Sequence, residues 1–139
     1  MQIKTVLAVD FGINQWGLAV GNTATRTALP IKAVKVKKGI PNWDELQAVQ
    51  AQWRASQVII GLPLNMDGTD QPLTKKVRKM AKMLEEHLGL PVDFQDERLS
   101  TVEAKAKLFE ESGYKSLQKD RIDCLSAVII LEDWLSLIE

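Results

Sequence analysis

The hydrophobic pattern predicts an α/β protein: a five-stranded mixed sheet, in the order β-β-β-α-β-α-β-α, with helices on both faces. Three observations carry this. Val6-Leu7-Ala8-Val9 and Val58-Ile59-Ile60-Gly61-Leu62 are continuous apolar runs, the pattern of strands covered on both sides. The later strands are separated by segments with apolar residues at helical spacing. Capping and breaking residues bound those segments, with Asn42 and Glu45 at one start and Pro72 and Gly89 at either end of another.

Strand one spans about residues 3–11. Side chains alternate, so Val6, Ala8 and Asp10 share one face and Leu7, Val9 and Phe11 the other. Gly12 to Gln15 is a turn, and Trp16 to Gly21 returns as a second strand. A third strand at about 28–36 ends in Lys35-Val36-Lys37-Lys38-Gly39, and its alternating lysines suit an exposed edge. Trp43, Leu46, Val49 and Trp53 form the stripe of the first helix. That helix crosses over to the strand at 57–62, which therefore lies parallel to strand one. After the loop from Pro63, a second helix carries the stripe Leu73, Val77, Met80, Leu84 and Leu88. A last strand starts at Val92 and runs into Asp96-Glu97-Arg98. Ser100-Thr101-Val102-Glu103 is a capping box opening a helix that Gly113 breaks. A final helix runs from about Gln118. No linker or repeat divides residues 1–139, so one domain is expected.

The chain has 139 residues, 45% hydrophobic and 26% charged, and a formal net charge of zero. Balanced charge gives no global attraction to polyanions, so any such binding needs a local patch. A single cysteine, Cys124, excludes an internal disulfide and a cysteine metal cage and reads as a small core residue. The N-terminus lacks a signal-peptide pattern and no apolar run reaches spanning length, which leads to the expectation of a cytoplasmic protein with no membrane partner.

Ligands of open α/β sheets bind beyond the carboxyl ends of the parallel strands. Here those ends are Asp10, Leu62-Pro63 and Asp96-Glu97, so two of the three carry acids. An Asp closing an apolar strand is costly to bury without a partner. Its structural alternative is a turn in which Asp10 bonds its own backbone ahead of Gly12. Asp96 and Glu97 point to opposite faces of an extended segment, so only one can face Asp10, and spacing leaves the choice open. Asp123 lies in the final helix in line with Ala127, Ile130 and Trp134, although an acid in a first helical turn is also favoured by the dipole. Carboxylates brought together repel unless a cation lies between them. A hard divalent ion such as Mg²⁺ suits oxygen ligands, and paired ions can drive phosphodiester hydrolysis.

Other features are weaker. His87 suits the end of its helix, and Trp16 is expected to be partly exposed beside the site. The lysine-rich stretch Lys75-Lys76-Val77-Arg78-Lys79-Met80-Ala81-Lys82 reads first as a solvated face. It starts near the proposed site, however, and with Lys115, Lys119 and Arg121 could contact phosphates.

Three motifs coincide: Asp10-Phe11-Gly12 followed by Gly17-Leu18-Ala19-Val20-Gly21; Gly61-Leu62-Pro63-Leu64-Asn65-Met66-Asp67-Gly68; and Asp96-Glu97-Arg98-Leu99-Ser100-Thr101. Together with Lys119-Asp120-Arg121-Ile122-Asp123 they resemble the YqgF family, also called RuvX, across essentially the whole chain. These are Holliday-junction-resolvase-like proteins regarded as pre-16S rRNA nucleases. The resemblance implies an RNase H-like fold and a cytoplasmic, Mg²⁺- or Mn²⁺-dependent nuclease that trims the 5′ end of pre-16S rRNA, with pre-ribosomal particles as possible partners. It implies Asp10, Glu97 and Asp123 as metal-binding catalytic residues, choosing Glu97 over Asp96. Arg98, Lys119, Arg121 and Asn65 are the candidate substrate contacts. Branched DNA is the alternative substrate, and a catalytically silent rRNA-binding module the alternative role. A nucleotide-binding domain of the actin and sugar-kinase kind shares the Asp-x-Gly turn, but normally works as a pair of domains. Asn14 and Trp16 depart from the family pattern, at the turn beside Asp10.

Overall fold

The structure is a computed structural model. It describes residues 3–12, 14–65, 67–96 and 119–138, with side chains in the last segment from Cys124 onward. Strands β1 (Thr5–Asp10), β2 (Gln15–Asn22), β3 (Ala28–Lys37) and β4 (Ile40–Pro41) form an antiparallel run. Helix α1 (Trp43–Trp53), strand β5 (Gln57–Leu62), helix α2 (Pro72–Leu88) and strand β6 (Val92–Asp96) follow, and helix α3 (Lys119–Leu137) closes the chain. The sheet order is β4-β3-β2-β1-β5-β6, with β5 parallel to both β1 and β6.

Six strands stand where five were expected. The extra one is β4, joined to β3 by the two residues Lys38 and Gly39, at φ 52° and 78°. Both central residues at positive φ is the hairpin turn whose twist matches the strands. Lysine in the first position hid it, because that place usually holds Asn, Asp or Gly. β4 pairs only with Val36 and Lys37, so it covers one end of the strand expected to form the edge. Lys35 and Lys37 are exposed, as an edge requires.

The strand alternation sorts the core into two layers. Leu7, Val9, Leu18, Val34, Val58 and Ile60 pack with Leu46 and Val49 of α1 and with Val77, Ala81 and Leu84 of α2. Val6, Ala8, Ala19 and Ile59 face the other way, onto Ala127, Val128, Ile130, Leu131 and Leu135 of α3. Helices therefore cover both faces. Cys124 is buried. No helix among the described residues is long and apolar enough to cross a membrane.

The helix boundaries follow the signals in the chain. The Asn42 side chain accepts from the Glu45 backbone N–H at 3.1 Å, capping α1. Gly89 ends α2 in the left-handed conformation at φ 65°. Arg54 does the same for α1 at φ 53° without being glycine, so that end carries no sequence signal. Two stripe residues differ from expectation. Trp53, the last residue of α1, is 38% exposed, and Leu73, the second of α2, is 48% exposed. Thr74 occupies the buried position instead of Leu73.

Candidate functional site at the carboxyl end of the parallel strands

Asp10 is the last residue of β1, half-buried, and its Cα pairs with that of Gly17 on β2. Its place in the alternation is that of Val6 and Ala8, the face covered by α3. The turn that follows is tightly fitted. A Cβ on Gly12 would lie 2.4 Å from the Gln15 carbonyl oxygen, so only glycine fits. Phe11 meets Trp16 edge to face, with ring centroids 4.4 Å apart. Trp16 is 3% exposed, which corrects the expectation of partial exposure. Its place on β2 points it into the α1/α2 layer with Leu18, away from Asp10's face.

The parallel strands bring the other candidate positions to the same end. Val9 pairs with Ile60, Gly61 with Gln95, and Leu62 with Asp96. Val92 and Phe94 pack into the α1/α2 layer, so Asp96, two residues on from Phe94, shares that face. Asp96 and Asp10 thus lie on opposite faces. Glu97 and Arg98 lie outside the described residues. On α3, Asp123, Lys119 and Arg121 are within the helix, with their side chains outside the described set. Ala127 and Ile130, four and seven residues after Asp123, are buried against Asp10's face. Among the described residues, no three His, Cys, Asp or Glu side chains gather as a metal site.

The loop after β5 is clamped at several points. The Asn65 amide nitrogen donates to Thr69 Oγ1 at 3.0 Å and to the Asp70 carbonyl at 3.3 Å. Its backbone N–H donates to the Thr69 carbonyl at 2.8 Å. Asp67 accepts from both the backbone N–H and the hydroxyl of Thr69. Asn65 thus uses its donors inside the loop. Thr74, missed in the sequence, holds the loop to α2: its hydroxyl donates to the Pro63 carbonyl and accepts from the Gln71 N–H. A threonine just after Pro72 and Leu73 is the signal that could have found it. Asp70 then receives Arg78 through two hydrogen bonds of 3.2 and 3.3 Å.

A mixed sheet with acids at the ends of its parallel strands, and a helix closing the acid-bearing face, defines an RNase H-like α/β protein. Solved structures agree. Thermus thermophilus RuvC in complex with Holliday junction substrate matches at a TM-score of 0.60 and 16% identity, over 95% of this chain and 93% of that one. The fowlpox virus Holliday junction resolvase matches at a TM-score of 0.56 and 15% identity, over 96% and 99%. The family model RuvX, described as Holliday junction resolvase, matches residues 4–137, and the chain belongs to that family. A relative from Actinobacillus pleuropneumoniae serotype 7, named "Putative pre-16S rRNA nuclease", is 50% identical over 131 residues, 94% of this chain and 96% of its own. A Pectobacterium carotovorum protein of the same name is 48% identical over 134 residues, 96% of each chain.

Proposed function

We propose that residues 1–139 form one nuclease domain of the cytoplasm that hydrolyses phosphodiester bonds in pre-16S rRNA, using Asp10, Glu97 and Asp123. The observation that carries this is the face of Asp10. Alternation along β6 puts Asp96 on the α2 side, so the next position in an extended chain falls on Asp10's side. This supports Glu97 over Asp96 on geometric grounds that spacing alone lacks. Only β5 separates β1 from β6, a backbone separation of about 10 Å, and Gly61, which carries no side chain, lies between the levels of Asp10 and Gln95, two residues before Glu97.

The direction of α3 supports the third acid. Leu131 and Leu135 lie against Gly21, whose Cα pairs with that of Val6 near the start of β1. Asp10 is four strand residues from Val6, about 13 Å. Asp123 is eight helical residues before Leu131, about 12 Å. A helix running back along β1 therefore carries Asp123 to the level of Asp10.

This donor set fits a hard divalent cation, Mg²⁺ or Mn²⁺, because all three groups are carboxylates. Such a cation, when bound, supplies activation of a water and charge neutralisation at the phosphate. The chain's own work is to hold the three carboxylates on rigid elements, so that the ligand set forms without reorganisation. Gly12 lets the chain turn sharply after Asp10, and the Phe11–Trp16 contact holds that turn. Arg98, Lys119 and Arg121 would position the RNA backbone. Asn65 would serve by keeping the neighbouring loop in shape. Pre-ribosomal particles would present this substrate.

Purified protein on a pre-16S 5′-leader RNA with Mn²⁺ tests the reading. Asp10→Asn is expected to fold, to bind RNA and to lose cleavage by a factor of about 10³ or more, the loss of about 4 kcal/mol of transition-state stabilisation. Wild-type rates in Asp10→Asn would overturn it. Cleavage of a four-way DNA junction in preference to the leader would replace RNA by branched DNA as the substrate.

A further inference from the structure

Helix α2 has its charges the wrong way round for its own stability. A helix N-terminus favours acids and a C-terminus favours bases. The first turn of α2 has no acid. Lys75, Lys76, Arg78 and Lys79 crowd its N-terminal half, and Glu85 and Glu86 stand near its C-terminal end. Like charges also meet at three- and four-residue spacings, at 75/78, 75/79, 76/79, 78/82 and 79/82, each unfavourable to an isolated helix. All five cations are exposed. Only Arg78 has a carboxylate partner, Asp70, among the described residues, and it also stacks over Phe94 at 5.7 Å. In a chain of zero net charge this clustering is local, and Lys75, Lys76, Lys79 and Lys82 make no ion pair among the described residues.

Helical geometry places Lys75, Lys79 and Lys82 on one outward strip, opposite the buried Thr74, Val77, Ala81 and Leu84. The strip is about 10 Å long, with successive cations about 4–6 Å apart along the axis. That spacing suits consecutive phosphates of a nucleic-acid strand. The strip begins at the carboxyl end of the sheet, where Thr74 is hydrogen-bonded to Pro63 at the end of β5. The clamped 63–71 loop therefore leads from the strand ends to the strip.

We propose that Lys75, Lys79 and Lys82 form a phosphate track for the RNA backbone, several nucleotides from the scissile bond. This rests on the nuclease reading for its ligand. The track binds backbone charge and reads no sequence, so it contributes reach and affinity and leaves the bond-breaking step unchanged.

Fluorescence anisotropy with a 5′-labelled leader RNA in EDTA tests it apart from catalysis. In Lys75→Gln/Lys79→Gln/Lys82→Gln, affinity at 0.1 M salt is expected to fall on the order of 10–100-fold. The slope of log K against log salt is expected to shrink by about 2 for single-stranded RNA. The same loss on an unrelated RNA is expected, and kcat on the leader should hold while KM rises. Thermal stability should stay level or rise, since the variant relieves the repulsion in α2. A control, Lys35→Gln/Lys37→Gln/Lys38→Gln, removes equal charge from the end of β3 and its hairpin, at the same end of the sheet but away from α2, and should cost less than 3-fold. Equal weakening in both variants, or an unchanged salt slope in the α2 variant, would overturn the track. If the α2 variant binds normally while Asp10→Asn loses cleavage, the track fails and the nuclease reading stands. If wild type binds RNA through the track but never cleaves it, the nuclease reading fails and the track stands.

Discussion

Single residues on this scaffold do work that their type alone does not announce. Glu132 is one. It lies on α3 with Asp133 beside it, and partial burial, then the Asp133 charge, raises its pKa above the ordinary 4.5. The folded state therefore holds this proton more tightly than the unfolded chain does. Its contribution to stability is present below the unfolded pKa and is lost as pH rises through the folded value. Glu132→Gln removes that loss. The variant is expected to melt above wild type at pH 7, with a gain within about 0.5 kcal/mol because Glu132 keeps solvent contact. The gap should close in a melting series taken below pH 4.5. A gap that widened on acidification would assign the shift to another group. His87, at the end of α2, does more than suit the helix dipole: its ring is stacked on Trp43 at 3.8 Å.

At the scale of elements, the proposed meeting of the acids depends on the seat of α3. Gly21 is that seat. A Cβ there would sit 2.4 Å from the Thr27 carbonyl oxygen and 3.2 and 3.3 Å from the side chains of Leu131 and Leu135. The first contact is with backbone and cannot be relieved by a rotamer change. Gly21→Ala is expected to cost about 1–3 kcal/mol through overpacking. It should also lower nuclease activity in protein that remains folded, because lifting α3 at Leu131 moves the Asp123 end of the same rigid helix. Gly39→Ala is the contrast. Nothing lies within 4 Å of its Cβ, so its cost is only the strain of φ 78°, about 1 kcal/mol, with activity retained. Urea melts and cleavage rates on the two variants check both halves; equal activity in the two would detach α3 from the site. Arg26 adds a second tie at this end, donating to the Leu135 carbonyl at 3.4 Å.

For the whole molecule, what could be read from the sequence divides along physical lines. The strands buried on both faces, the parallel placement of β5 and the capped helix ends were legible because each depends on local pattern. β4 was not, since Lys38 stands where a turn residue belongs, and neither was the burial of Trp16, which depends on the layer that α1 and α2 build. Asp10 and Asp96 were legible as strand ends, but the face of Asp96 was not, since it is set only once Val92 and Phe94 are seated in the core. The proposed site joins β1, the end of β6 and α3, segments far apart in the chain, so a cation held there binds the folded state alone. Binding of that kind adds about 2.7 kcal/mol at one hundred times the dissociation constant. For a chain of 139 residues this is a rise of several degrees in melting temperature. Mn²⁺ is expected to raise the melting temperature of wild type by that much and to leave Asp10→Asn unchanged. Scanning calorimetry across a Mn²⁺ titration reads this shift. An equal Mn²⁺ shift in both proteins would place the cation away from Asp10.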